Sequence, residues 1–180
     1  MKAFVIAVAG VHHSGAYELC DELAGQFFHS AAVHFRDFTD SQPVRNWLEG
    51  EDSFDGLELS TLRSRLEEMA GCRKYSCLFL DCPVGRSAEE LRGLVDFVFY
   101  LDVPLDIALI RSLFQDPRLT DRGALRSRLR LYQDSGRAIA QKIQRVVSRD
   151  ADVTVYAEKD PESTLFTLTK RILENRFIKF

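Results

Sequence analysis

The sequence predicts an α/β three-layer sandwich, a five-stranded parallel sheet covered by helices. Three observations predict it. Five short apolar runs recur along the chain: Phe4–Ala9, Ala31–Phe35, Cys77–Asp81, Asp96–Asp102 and Asp152–Tyr156. Continuous apolar runs, unlike alternating ones, mark strands buried on both faces, as in parallel sheets. Stretches with helical apolar spacing separate the runs, and a loop bounded by Gly10 and Gly15 joins the first run to the first such stretch.

Taken in order, Phe4-Val5-Ile6-Ala7-Val8-Ala9 is strand one, rich in β-branched residues, and the helix after the loop runs to about Phe28. The second strand ends in Arg36-Asp37-Phe38. Residues Ser41–Phe54 read as irregular and polar, with Trp47 as the one large anchor. Leu59, Leu62, Leu66 and Met69 restore helical periodicity over Leu57–Met69. The third strand ends on Asp81 and is broken by Cys82-Pro83-Val84-Gly85-Arg86; Glu89–Leu94 reads as a short helix. After the fourth strand, Pro104 suits the first turn of a helix reaching about Phe114. Gln115–Gly123 reads as a mobile, lid-like connection. A long helix is predicted from Ala124, with one apolar stripe through Leu125, Leu129, Tyr132, Ile139, Ile143 and Val146. Asp160-Pro161-Glu162 starts a last helix ending near Glu174, and Arg176–Phe180 is an apolar tail.

Bulk properties fit one domain over residues 1–180, with hydrophobic content of 46% and charged content of 28%. A net charge of −3 gives no basic field for nucleic acid or anionic membrane. No apolar run is long enough to span a bilayer, and Met1-Lys2-Ala3 leads straight into a strand, so a cytoplasmic location is expected. Cys20, Cys72, Cys77 and Cys82 lack metal-ligand spacing and read as reduced, mostly buried small residues.

The carboxyl ends of the strands carry the candidate site, because ligands bind there in parallel sheets. Gly10, Gly15, Asp37 and Asp81 all fall at those ends. Gly10 and Gly15 match the glycines of G-x-x-x-x-G-K-[ST], the phosphate-binding loop. The next two positions do not match: Ala16 stands for the lysine and Tyr17 for the hydroxyl residue. The loop's backbone N–H groups and the helix N-terminus still attract an anion without any side chain.

Further motifs occur in order: Arg36-Asp37-Phe38, Leu78-Phe79-Leu80-Asp81-Cys82-Pro83-Val84-Gly85, and Asp102-Val103-Pro104-Leu105-Asp106-Ile107-Ala108-Leu109-Ile110-Arg111. With them the chain resembles, over nearly its whole length, the uridine-kinase-like and nucleoside-kinase-like P-loop phosphotransferases. The resemblance implies a sheet of the P-loop nucleotide-kinase type, with ATP and Mg²⁺ as cofactors. It implies phosphate contacts from Gly10, His12, His13, Ser14, Gly15, Ala16, Tyr17 and Arg111. It places a catalytic role on Asp37, beside Arg36, and a metal role on Asp81. In such enzymes the loop lysine bridges the terminal phosphates and the next hydroxyl binds Mg²⁺. Ala16 and Tyr17 offer neither, and Arg36 replaces a carboxylate with a group that cannot serve as a base.

Individual residues keep two readings each. His12 and His13 are replacement phosphate donors or a general acid, or else solvent-facing loop residues. Arg86, Arg111, Arg118 and Arg122 close over a phosphate or are simply solvated. Arg36 supplies the lost positive charge, or pairs with Asp37 or Asp81. Asp37 is a surviving base or a turn residue. Asp81 is a metal-site carboxylate or a partner of Arg36 or Ser14. Tyr17 fills space that a β-phosphate or magnesium would use. Three functions follow: a nucleotide- or phosphate-binding protein impaired in Mg-ATP phosphotransfer, an active nucleoside-type kinase using non-standard loop residues, or a structural dimerisation domain. The expected partner is a nucleotide or other phosphorylated small molecule for the first two, and a second copy of the chain for the third.

Overall fold

A computed structural model describes residues 2–39, 42–157 and 160–174. The apolar tail and Ser41 lie outside the described residues. Five strands form one sheet: β1 (Phe4–Gly10), β2 (Ser30–His34), β3 (Cys77–Asp81), β4 (Phe97–Asp102) and β5 (Val153–Tyr156). The order is β2-β3-β1-β4-β5 and every pairing is parallel. Successive residues of a strand point to opposite faces. Every residue of β1 from Val5 to Ala9 is at most 1% exposed, so helices cover the sheet on both sides.

Helix α1 (Ala16–Gln26) buries Ala16, Leu19, Cys20 and Leu23 and packs against β2 and β3. The Ser30 hydroxyl closes its C-terminal end by donating to the carbonyls of Ala24 and Phe27. Short α2 (Val44–Leu48) lies within the segment expected to be irregular, because burial of Trp47 fixes its backbone. Helix α3 (Ser60–Gly71) buries Leu62, Leu66 and Met69, as its periodicity predicts. Helices α4 (Leu105–Gln115) and α7 (Pro161–Glu174) complete the α/β alternation.

The long striped helix is not continuous. It divides into α5 (Arg122–Leu131), a π-helical turn at Tyr132–Gly136, and α6 (Arg137–Asp150). The stripe divides with it. Ile143 and Val146 are buried, whereas Leu125 and Leu129 are 37% and 39% exposed. The π-turn's extra residue shifts the phase of the apolar face, and α5 buries none of its residues. Asp121 caps α5 by accepting from the backbone N–H groups of Gly123 and Ala124. Among the described residues no helix is long and apolar enough to cross a membrane.

Candidate functional site

The loop leaves the carboxyl end of the central strand and wraps the N-terminus of α1. Gly10 is required by packing: a Cβ there would meet Ser14 Oγ at 2.8 Å and the Leu101 carbonyl oxygen at 3.1 Å. His13 and Gly15 adopt left-handed backbone, with φ of +64° and +96°. The Ser14 N–H donates to the Val11 carbonyl at 3.0 Å, closing the turn. Glycine is the residue that reaches such a conformation without steric cost, so Gly15 sits where the chain must reverse into the helix. The first N–H groups of α1 have no partner within the helix and carry its positive dipole end.

The neighbouring strands and helices supply the walls. Arg111 on α4 donates to the Ser14 carbonyl at 3.3 Å and to the Ala157 carbonyl at 3.2 Å. It therefore clips the loop to the segment after β5. His13 donates through Nδ1 to Gln115 Oε1 at 2.8 Å. His12 is exposed, and its ring packs edge-on against buried Trp47 with ring centroids 5.4 Å apart.

Tyr17 is held from both sides. Its ring stacks on His34, and the Arg36 guanidinium lies 3.8 Å from its other face. His34 donates through Nε2 to Asp21 at 3.1 Å, while its Nδ1 lies 3.7 Å from Asp81 Oδ2. That Nδ1 is buried and makes no hydrogen bond among the described residues. Burial pushes the Asp81 carboxyl up to about 6, and the nearby charges of His34 and Arg36 pull it partly back.

These groups line a cavity of about 1120 Å³. Of the expected site residues, Gly10, His12, His13, Ser14, Gly15, Ala16, Tyr17, Arg36, Asp81 and Arg111 all border it. Asp37 does not; it is more than half exposed on a single 3-10 turn, with its carboxylate 3.8 Å from Arg36 Nε. Arg86 lies elsewhere, bonded to the Asp150 carbonyl and to Asp152, and Arg118 folds back onto Asp116. His34 and Asp21 were not among the residues expected. The signal for His34 was its place at the end of strand two, but only the observed strand order sets it beside Asp81.

The donor set fits a resident magnesium ion poorly. Tyr17 carries its hydroxyl at the far end of a ring fixed between the Arg36 guanidinium and the His34 imidazole, out of reach of the position a serine or threonine oxygen takes. Asp81 already faces an imidazole. Among the described residues no group of three His, Cys, Asp or Glu side chains is placed to hold a metal.

No family model and no curated protein sequence matches the chain. Solved structures do. A shikimate kinase from Bacteroides thetaiotaomicron superposes with a TM-score of 0.57 at 16% identity, over 96% of this chain and 99% of that one. A thymidylate kinase from Candida albicans gives 0.55 at 14% identity, over 96% and 92%. An uncharacterized protein from Eubacterium ventriosum gives 0.57 at 15% identity, over 97% and 100%. The sheet, the loop and these neighbours together define the class: the chain has the P-loop kinase α/β fold. At these identities the likeness is one of fold.

Proposed function

We propose that the protein binds a nucleotide or other phosphorylated small molecule on the Gly10–Gly15 loop and is impaired in conventional Mg-ATP phosphotransfer. Its ancestry would be that of the uridine- and nucleoside-kinase-like proteins. The observation that carries this reading is the loop itself: the turn and helix N-terminus are built, while Ala16 and Tyr17 supply neither lysine nor metal-binding hydroxyl. Loss of a preorganised donor to developing charge costs about 2.7–4 kcal/mol, or roughly 10²–10³ in rate. Two such groups are missing, so binding outlasts catalysis in this site. The test is calorimetric titration with ATP, pyrophosphate and adenosine, paired with an ATP-turnover assay. Phosphorylated ligands bind and adenosine does not, with turnover near background. Failure of both phosphorylated ligands to bind overturns the binding role, and brisk turnover overturns the impairment.

A second reading is an active nucleoside-type kinase. It is favoured by Arg36, which reaches the cavity wall with its guanidinium available to phosphate. An acceptor screen with nucleosides separates the two.

A further inference from the structure

In a P-loop phosphotransfer site three cationic or metal-binding elements share the ground around the terminal phosphates: a lysine, a hydroxyl and Mg²⁺. Here that ground is occupied differently. Tyr17 projects from the first turn of α1, and its ring is fixed between the Arg36 guanidinium at 3.8 Å and the His34 imidazole at 3.9 Å. His34 is anchored beneath by Asp21 and faces Asp81. The Asp81 carboxylate, the one expected to serve the metal, borders the cavity and thus has an imidazole nitrogen 3.7 Å away. Arg36 is left as an exposed cation on the cavity wall, loosely paired with Asp37 at 3.8 Å.

Resting on the phosphate-binding reading above, we propose that the Arg36–Tyr17–His34 stack has displaced the metal, so that the loop binds its phosphate ligand as a metal-free polyanion and Mg²⁺ weakens that binding. The chemistry follows from charge. A bare triphosphate or pyrophosphate presents its full negative charge to Arg36, the loop amides and the dipole of α1. Magnesium on the same ligand removes two of those charges and adds a hydrated cation that must fit beside the Arg36 guanidinium. Of the carboxylates bordering the cavity, Glu18, Glu22 and Glu162 are exposed, so water and salt screen them, while the fourth, Asp81, is half-buried and faces His34. Arginine suits this role better than lysine, because its planar fork pairs with phosphate oxygens while its face stays on the tyrosine ring.

The closing experiment titrates the full chain with ATP and with pyrophosphate, once in a chelator and once in excess Mg²⁺. Calorimetry is read beside the fluorescence of Trp47, the one tryptophan in the sequence. Affinity in chelator should exceed that in magnesium by about tenfold, the size expected when two ligand charges vanish near a cation in a solvated cleft. Arg36→Ala should remove most of that difference. The double variant Ala16→Lys with Tyr17→Thr should reverse its sign, and circular dichroism melts confirm that each variant is folded. Equal or tighter binding in Mg²⁺ by the native chain overturns the inference and leaves the binding role standing. Absence of binding in both buffers overturns the binding role and this inference together.

Discussion

The ring of Tyr17 lies almost flat on His34, with centroids 3.9 Å apart and planes inclined by 27°. With Arg36 on the opposite face, the stack ties helix α1, which follows the Gly10–Gly15 loop, to the end of β2. An aromatic pair contributes about 0.5–1.5 kcal/mol beyond area burial, and a cation–π contact about 0.5–1 kcal/mol at an exposed site. Tyr17→Ala should therefore destabilise the fold by about 1–3 kcal/mol in urea unfolding. Tyr17→Phe keeps the ring and should stay within about 0.5 kcal/mol of the native chain. A phenylalanine variant as damaged as the alanine variant would mean that the hydroxyl, and not the stack, matters.

Asp81 makes stability depend on pH in a particular direction. Burial raises its carboxyl to about 6 from an ordinary value of 3.8. The folded protein thus holds a proton that the unfolded chain has released over the window between those values. Stability from this group is fully present below about pH 4, falls as pH rises to about 6, and is flat above. The size is on the order of 1–3 kcal/mol. Urea midpoints measured from pH 4 to 7 should show this fall in the native chain and less of it in Asp81→Asn. Identical slopes in the two proteins would remove Asp81 as the cause.

The strands were legible because burial on both faces writes itself into sequence as unbroken apolar runs. Cys77–Asp81 is found as read, and Phe97–Asp102 and Val153–Tyr156 each begin one residue later than expected. The second strand is shifted by one residue toward the N-terminus, since Phe35 turns into a 3-10 turn. Their order was not legible, and with it went His34. Nothing local says that the ends of β2 and β3 are neighbours, so the histidine facing Asp81 looked like any strand residue. The stripe from Leu125 to Val146 misled for another reason: spacing reports a face, not what covers it, and the π-turn rotates that face out of phase. The loop's glycines were readable because their requirement is backbone geometry, which sequence states directly.

Arg111 joins the Gly10–Gly15 loop to the segment after β5 through the Ser14 and Ala157 carbonyls. Charged hydrogen bonds of this kind are worth about 1.5–3 kcal/mol. Arg111→Ala should lower stability by an amount in that range. It should also speed hydrogen exchange at residues 11–16 and at Ala157, leaving β3 protected. Arg111→Lys should recover little, because an ammonium lacks the fork that spans two carbonyls. Full recovery by lysine would show that charge alone holds the loop.

Gly10 provides the sharpest test of the loop's construction. Its missing Cβ leaves room for Ser14 Oγ and for the Leu101 carbonyl, two groups of different mobility. Ser14 can turn; the carbonyl of Leu101, near the carboxyl end of β4, is held where that strand pairs with Gly10. Gly10→Ala should cost about 1–3 kcal/mol through overpacking. Adding Ser14→Gly removes the hydroxyl contact and leaves the carbonyl contact, so rescue should be partial. If the binding role proposed above holds, phosphate affinity should fall in both variants, since the overpacked Cβ displaces the loop that would bear the ligand. Complete rescue by Ser14→Gly would place the whole constraint on the serine, and a neutral Gly10→Ala would mean that β1 and β4 shift apart more easily than their pairing implies.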